Sequence, residues 1–184
     1  MTTSTSTNLK IPELKKHLKD FDHKELIEVI TELYKLNGDV KDYLTLKFNG
    51  EEKTQELFDR AKKAIEDEFF PAGGHGKLRL AKAKQAITDF KKLTHDDAKT
   101  IDLMLCYVEF GTEFTTAFGD IDERFYTSML SVYGDVISAC EADESLFEQL
   151  HERLYEVVAG SDGIGWGYDD QLMIMYESLR WLDD

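Results

Sequence analysis

Proline and cysteine are scarce in this chain, with two of each in 184 residues. Two cysteines, Cys106 and Cys140, cannot make a disulfide framework, and they form no CxxC pair. Both lie inside helical patterns, so reduced core thiols and a cytoplasmic setting are expected. Two prolines leave long stretches free to stay helical: Pro12 suits a first helical turn, and Pro71 ends a helix. No apolar run reaches the roughly 18–20 residues that span a bilayer, and residues 1–8 lack a basic-then-apolar leader. Strand-like alternation is nearly missing too. An HExxH zinc motif and a P-loop are both absent, since Leu78 follows Gly76-Lys77 where a magnesium-binding Ser or Thr would stand.

What remains is one amphipathic segment after another. Leu26, Ile27, Ile30, Leu33 and Tyr34 share a helical stripe; Asp22 and Glu25 have capping-box spacing ahead of it. Asn37-Gly38 reads as a left-handed stop and Asp39 as the next cap. Further stripes end at Pro71, run from about Lys77 to Leu93, and run from Thr94, read as a cap, to Phe118. Leu103 to Phe110 is apolar nearly all round, which marks a central helix. Asp120 or Asp122, and then Asp143, stand where later helices should begin, and Asp169 or Asp170 should cap the last. The expected fold is all-α: about nine helices as stacked antiparallel hairpins, a HEAT-like array, or a compact bundle. Residues 1–9 read as a disordered tail. Residues 10–184 read as a single domain, with halves 10–93 and 94–184 sharing one core.

Several strings carry a resemblance: Ile11-Pro-Glu-Leu-Lys-Lys-His-Leu18, Glu25-Leu-Ile-Glu-Val-Ile-Thr-Glu-Leu-Tyr-Lys-Leu36 and Val40-Lys-Asp-Tyr-Leu44 near the start, then Phe69-Phe-Pro71, Gly76-Lys-Leu-Arg-Leu80, Gly119-Asp-Ile-Asp-Glu123 and Gly163-Ile-Gly-Trp-Gly167. Over about residues 10–180 the chain resembles an uncharacterised bacterial domain-of-unknown-function family of small helical proteins. The resemblance implies a small intracellular helical protein and carries over no functional residue.

Charge is partitioned. The net is −15. Residues 71–93 hold six basic side chains and one acidic; residues 94–184 hold four and 21. Such asymmetry speaks to partners and solubility, not to fold. Two places stand out. Gly74 and Gly76 precede Lys77, Arg79, Lys82 and Lys84, a pattern that offers backbone N–H groups and cations to an anion or a nucleic-acid backbone. The competing reading is a basic face neutralised by this chain's own carboxylates. The second place is the glycine-rich stretch around Trp166 and Tyr168. It reads either as a partner-binding anchor or as a plug that closes the core.

Other patterns are thinner. Glu148-x-x-His151 is half of a carboxylate di-iron pattern, but no second copy exists. Lys15, Lys16, Lys19 and Lys24 lie beside leucines with a spacing seen in short DNA-binding helix pairs and on any solvated helix. No catalytic set, metal set or cofactor fingerprint emerges. The expected function is therefore a soluble, non-enzymatic protein-interaction or adaptor module with another protein as partner and no membrane. The alternatives are nucleic-acid or phosphate binding through residues 73–92, and an enzyme whose site is assembled from separate helices.

Overall fold

A computed structural model describes residues 8–182; most of the expected tail lies outside the described residues. Nine α-helices occur among the described residues, and no strand. They are α1 (Ile11–Lys19), α2 (His23–Leu36), α3 (Gly38–Phe48), α4 (Gly50–Phe69), α5 (Leu80–Thr94), α6 (Asp97–Phe118), α7 (Glu123–Ala142), α8 (Glu144–Ala159) and α9 (Tyr168–Glu177). The fold is all-α, as the periodicity predicts.

Short polar side chains decide where helices begin. Asp22 Oδ1 accepts from Glu25 N–H at 2.8 Å, and Glu25 Oε2 accepts from Asp22 N–H at 2.8 Å. That is the expected reciprocal cap of α2. Asp122 accepts from Phe125 N–H at 2.8 Å and Asp143 from Ser145 N–H at 3.0 Å, opening α7 and α8. Three expected boundaries differ. Asn37 is extended and its amide oxygen accepts from Asp39 N–H, so it closes α2 and opens α3 without a left-handed Gly38 or an Asp39 cap. Asp96, not Thr94, caps α6; Thr94 instead donates to the Phe90 carbonyl and ends α5, with His95 taking the left-handed turn. Gly167 opens α9 with no side-chain cap, so neither Asp169 nor Asp170 fills that role.

The described chain forms two compact units, one up to Lys53 and the other from Thr54. The charge step near residue 93 falls inside the second. In the first unit α2 packs on α3. Its described residues include no buried apolar side chain. Asp42 and Lys53 are buried there and paired at 2.9 Å.

The second unit holds the core. Ile65, Leu103, Tyr107, Met129, Tyr133, Leu154 and Leu172 are inaccessible to solvent. Helix α6 is central, packed by α5, α7 and α8. The α6–α7 hairpin lies on the α8–α9 hairpin, with α6 against α8 and α7 against α9. Close approach of α6 to α7 depends on Gly111, where a Cβ would sit 2.3 Å from Met129 Sδ. Cys106 and Cys140 are free and buried. Burial pushes their thiols up to about 12 and about 11, so both stay protonated and unreactive at neutral pH.

One ionic cluster ties α8 to α6. Asp102, Cys106 and Glu109 follow at i, i+4 and i+7 on α6, and Arg153 of α8 reaches all three. It donates to Asp102 Oδ1 at 2.6 Å, to the two Glu109 oxygens at 2.7 and 2.8 Å, and to Cys106 Sγ at 3.2 Å. Burial disfavours the Arg153 charge, but its bonds to Glu109 and Asp102 hold the guanidinium above the ordinary arginine value.

Candidate functional site

Within the second unit, three connections gather at one end: residues 70–79 between α4 and α5, 119–122 between α6 and α7, and 160–167 between α8 and α9. The second connection meets both of the others: Asp120 accepts from Gly165 N–H, and Ile121 lines one groove with Pro71, His75 and Leu78.

The first connection is fixed from below. Lys77 N–H and Leu78 N–H both donate to the Glu68 carbonyl, at 2.8 and 2.9 Å. Arg79 grips the Glu68 carboxylate through Nε and Nη2, each at 2.8 Å. That grip holds the carboxyl below the ordinary glutamate value, against the opposing effect of burial. Gly76 leaves no room for a side chain, because a Cβ there would lie 2.5 Å from both the Phe69 carbonyl oxygen and the Phe114 ring. Leu78 adopts φ +48°, a strained value for a residue with a Cβ.

The other two connections are tied by a hydroxyl network. Tyr126 OH donates to Asp120 Oδ1 at 2.9 Å and lies 2.6 Å from Thr115 Oγ1. Gly165 N–H donates to the same Asp120 oxygen at 3.3 Å, which joins 160–167 to 119–122. A side chain at Gly165 would collide with Asp120. Beneath, Tyr168 OH pairs with Thr112 Oγ1 at 2.7 Å, and the Tyr126 and Tyr168 rings are 5.1 Å apart. Burial raises both phenols above the ordinary tyrosine value, so the network keeps its protons across the neutral range. Asp120→Ala is expected to release the second tie: hydrogen exchange at 163–167 should accelerate severalfold, while α6 amides stay protected. Unchanged exchange at Gly165 would show that the bond holds nothing in place.

On this frame sit aromatic side chains. Phe70 is 5.8 Å from Phe114 and 6.4 Å from Phe118, and Phe114 is 4.8 Å from Phe118. With Pro71, His75, Leu78 and Ile121 they line a groove of ≈ 410 Å³. Phe118 is 65% exposed and Trp166 is 61% exposed. Trp166 itself has φ +64°, followed by Gly167 at +65°, so two successive left-handed residues turn the chain there.

The residues singled out from the sequence divide accordingly. Gly74, Gly76, Lys77 and Arg79 belong to the first connection, and Trp166 to the third. Helix α5 starts at Leu80 rather than near Lys77, because the strained Leu78 and its bond to Glu68 delay it. The N–H groups of Lys77 and Leu78 therefore serve Glu68. Arg79 is engaged by Glu68, whose charge Lys82 also stabilises, and Lys84 donates to Ser128 Oγ at 3.1 Å. Tyr168 is fully buried, so it supports the end from beneath and is not part of its surface. The sequence gives Phe70 and Phe118 no surface role and Asp120 only that of a possible helix cap. Phe118 follows Phe114 by four residues, and periodicity alone placed it inward. His151 packs edge-on against Phe147, ring centres 5.4 Å apart. Among the described residues no group of three or more His, Cys, Asp or Glu could hold a metal ion.

Fold and surface together define an all-helical protein with a loop-built aromatic end. Over residues 10–179 the chain belongs to a family of unknown function, DUF6155. No curated protein and no solved structure matches it. No helix among the described residues is long and apolar enough to cross a membrane.

Proposed function

We propose that this protein is a non-enzymatic protein-interaction module whose partner docks on the loop-built end of the second unit. One observation carries the reading: Phe118, the last residue of α6, and Trp166, on the connection that Gly165 ties to Asp120, both stand largely in water on a frame held by hydrogen bonds and close glycine contacts. Exposed aromatic side chains on a stiff base are the usual anchors of protein interfaces, and their ordering cost is already met in the free protein. The adjoining groove is apolar and sized for one or two partner side chains. Segments that carry the family likeness, at 69–71, 76–80, 119–123 and 163–167, meet at this end. A phosphate or nucleic-acid reading draws less support, since Arg79 and Lys84 already have partners.

The test is a peptide-display selection on the purified protein. Enriched peptides should share one aromatic or branched aliphatic anchor. Phe118→Asp should weaken their binding at least tenfold, as expected for a central apolar contact worth more than about 1.4 kcal/mol. A selection without enrichment, or peptides bound equally by Phe118→Asp, overturns the reading.

A further inference from the structure

The first unit poses a separate problem. Eleven of its large apolar side chains are exposed, and none is buried. On α2, Ile27, Ile30, Leu33 and Tyr34 share one face at helical spacing. Beside them a groove of ≈ 340 Å³ between α2 and α3 is lined by Ile30, Tyr34, Leu44 and Phe48. Phe48 is 79% exposed. Fewer than 60 residues without a buried apolar side chain cannot hold themselves together by a core of their own. Apolar exposure on this scale marks an interface.

We infer that this face pairs with the same face of a second copy, making a two-fold dimer through the α2–α3 units. Two observations select a second copy as the occupant. The first is area. Over the whole first unit, α1 included, eleven such side chains leave on the order of 1,000 Å² of apolar surface open, taking 150–250 Å² for a whole aromatic side chain as the scale. A standard interface buries about 800 Å² per partner. The second is charge. Residues 1–53 carry nine basic and ten acidic side chains, whereas residues 54–184 carry 13 and 27. Contact between two first units joins nearly neutral surfaces. Contact between two second units would set strong like charges together. A near-neutral face also offers no attraction to a strongly acidic or basic partner, such as a nucleic acid. Two copies of an apolar face match each other by symmetry, as a two-fold interface requires.

The experiment is sedimentation equilibrium of the full chain from about 1 to 100 μM, with Ile30→Asp/Leu33→Asp beside the wild type. The wild type should be dimeric within that range, and the variant should raise the dissociation constant at least 100-fold. Hydrogen exchange gives a readout that needs no variant: protection of α2 should rise with protein concentration while α6 stays constant. A monomeric wild type at 100 μM overturns the dimer, and so does a dimer that the variant leaves intact or a concentration effect absent from α2. The outcome is separate from that at the loop-built end, because Ile30→Asp/Leu33→Asp should still bind the peptides selected there.

Discussion

Phe69→Ala is expected to lower the unfolding free energy by about 3–5 kcal/mol, the usual cost of deleting a fully buried phenyl ring. For a chain of this length that corresponds to a fall in Tm of roughly 10 °C. Phe69 is 1% exposed. Its ring meets Tyr107 at 5.7 Å, Phe114 at 6.4 Å and Phe125 at 6.5 Å, so one side chain joins the end of α4 to α6 and α7. Its carbonyl oxygen is the atom against which Gly76 closes. The cavity should therefore also loosen residues 70–79, and binding at the aromatic groove should weaken together with stability. Phe118→Ala separates the two effects. That ring is mostly in water, so Tm should move by no more than about 1 °C, while peptide binding is lost. Thermal unfolding of both variants checks the pair. Equal losses of stability would mean that Phe118 is part of the core, and a Tm for Phe69→Ala near that of the wild type would remove Phe69 as the link.

Much of this was legible in the sequence. The α6 stripe predicted a central helix, and Leu103, Leu105, Tyr107 and Val108 are indeed inaccessible to solvent. Asp22 with Glu25 marked a helix start, because both partners of that bond lie within one turn. Legibility fails where a residue's partner is distant. Arg79 reads as a cation for either an outside anion or one of this chain's own carboxylates until Glu68 folds beneath it, and Asp120 reads as a possible helix cap until Gly165 arrives from 45 residues on. Periodicity gives the face of a helix but not whether anything covers that face. It marked Leu26 to Tyr34 as inward, yet Ile27, Ile30 and Leu33 are exposed. It treated Phe114 and Phe118 alike, though the first is buried and the second, at the end of α6, is mostly exposed. The unaligned strings that carry the family likeness could not reveal that four of them meet in space.

Arg153→Met should cost about 2 kcal/mol, and the size of the loss depends on what it leaves behind. Arg153 bridges Asp102 and Glu109, three side chains that are each about 30% exposed. Removing the cation leaves two carboxylates facing α8 without their counter-charge. Breaking a fully buried pair costs about 3–5 kcal/mol, and partial exposure reduces the figure here. Much of that cost is the stranded charge and not the lost bond. The triple variant Arg153→Met/Asp102→Asn/Glu109→Gln should therefore regain at least half of the loss, although it restores no ion pair. Arg153→Lys should fall between wild type and methionine, because one ammonium cannot span two carboxylates that a planar guanidinium reaches through separate nitrogens. Urea unfolding of the four proteins orders them. A triple variant no more stable than Arg153→Met would show that the guanidinium acts through its packing on α6, with the Cys106 sulfur at 3.2 Å as its neighbour, and that its charge is incidental.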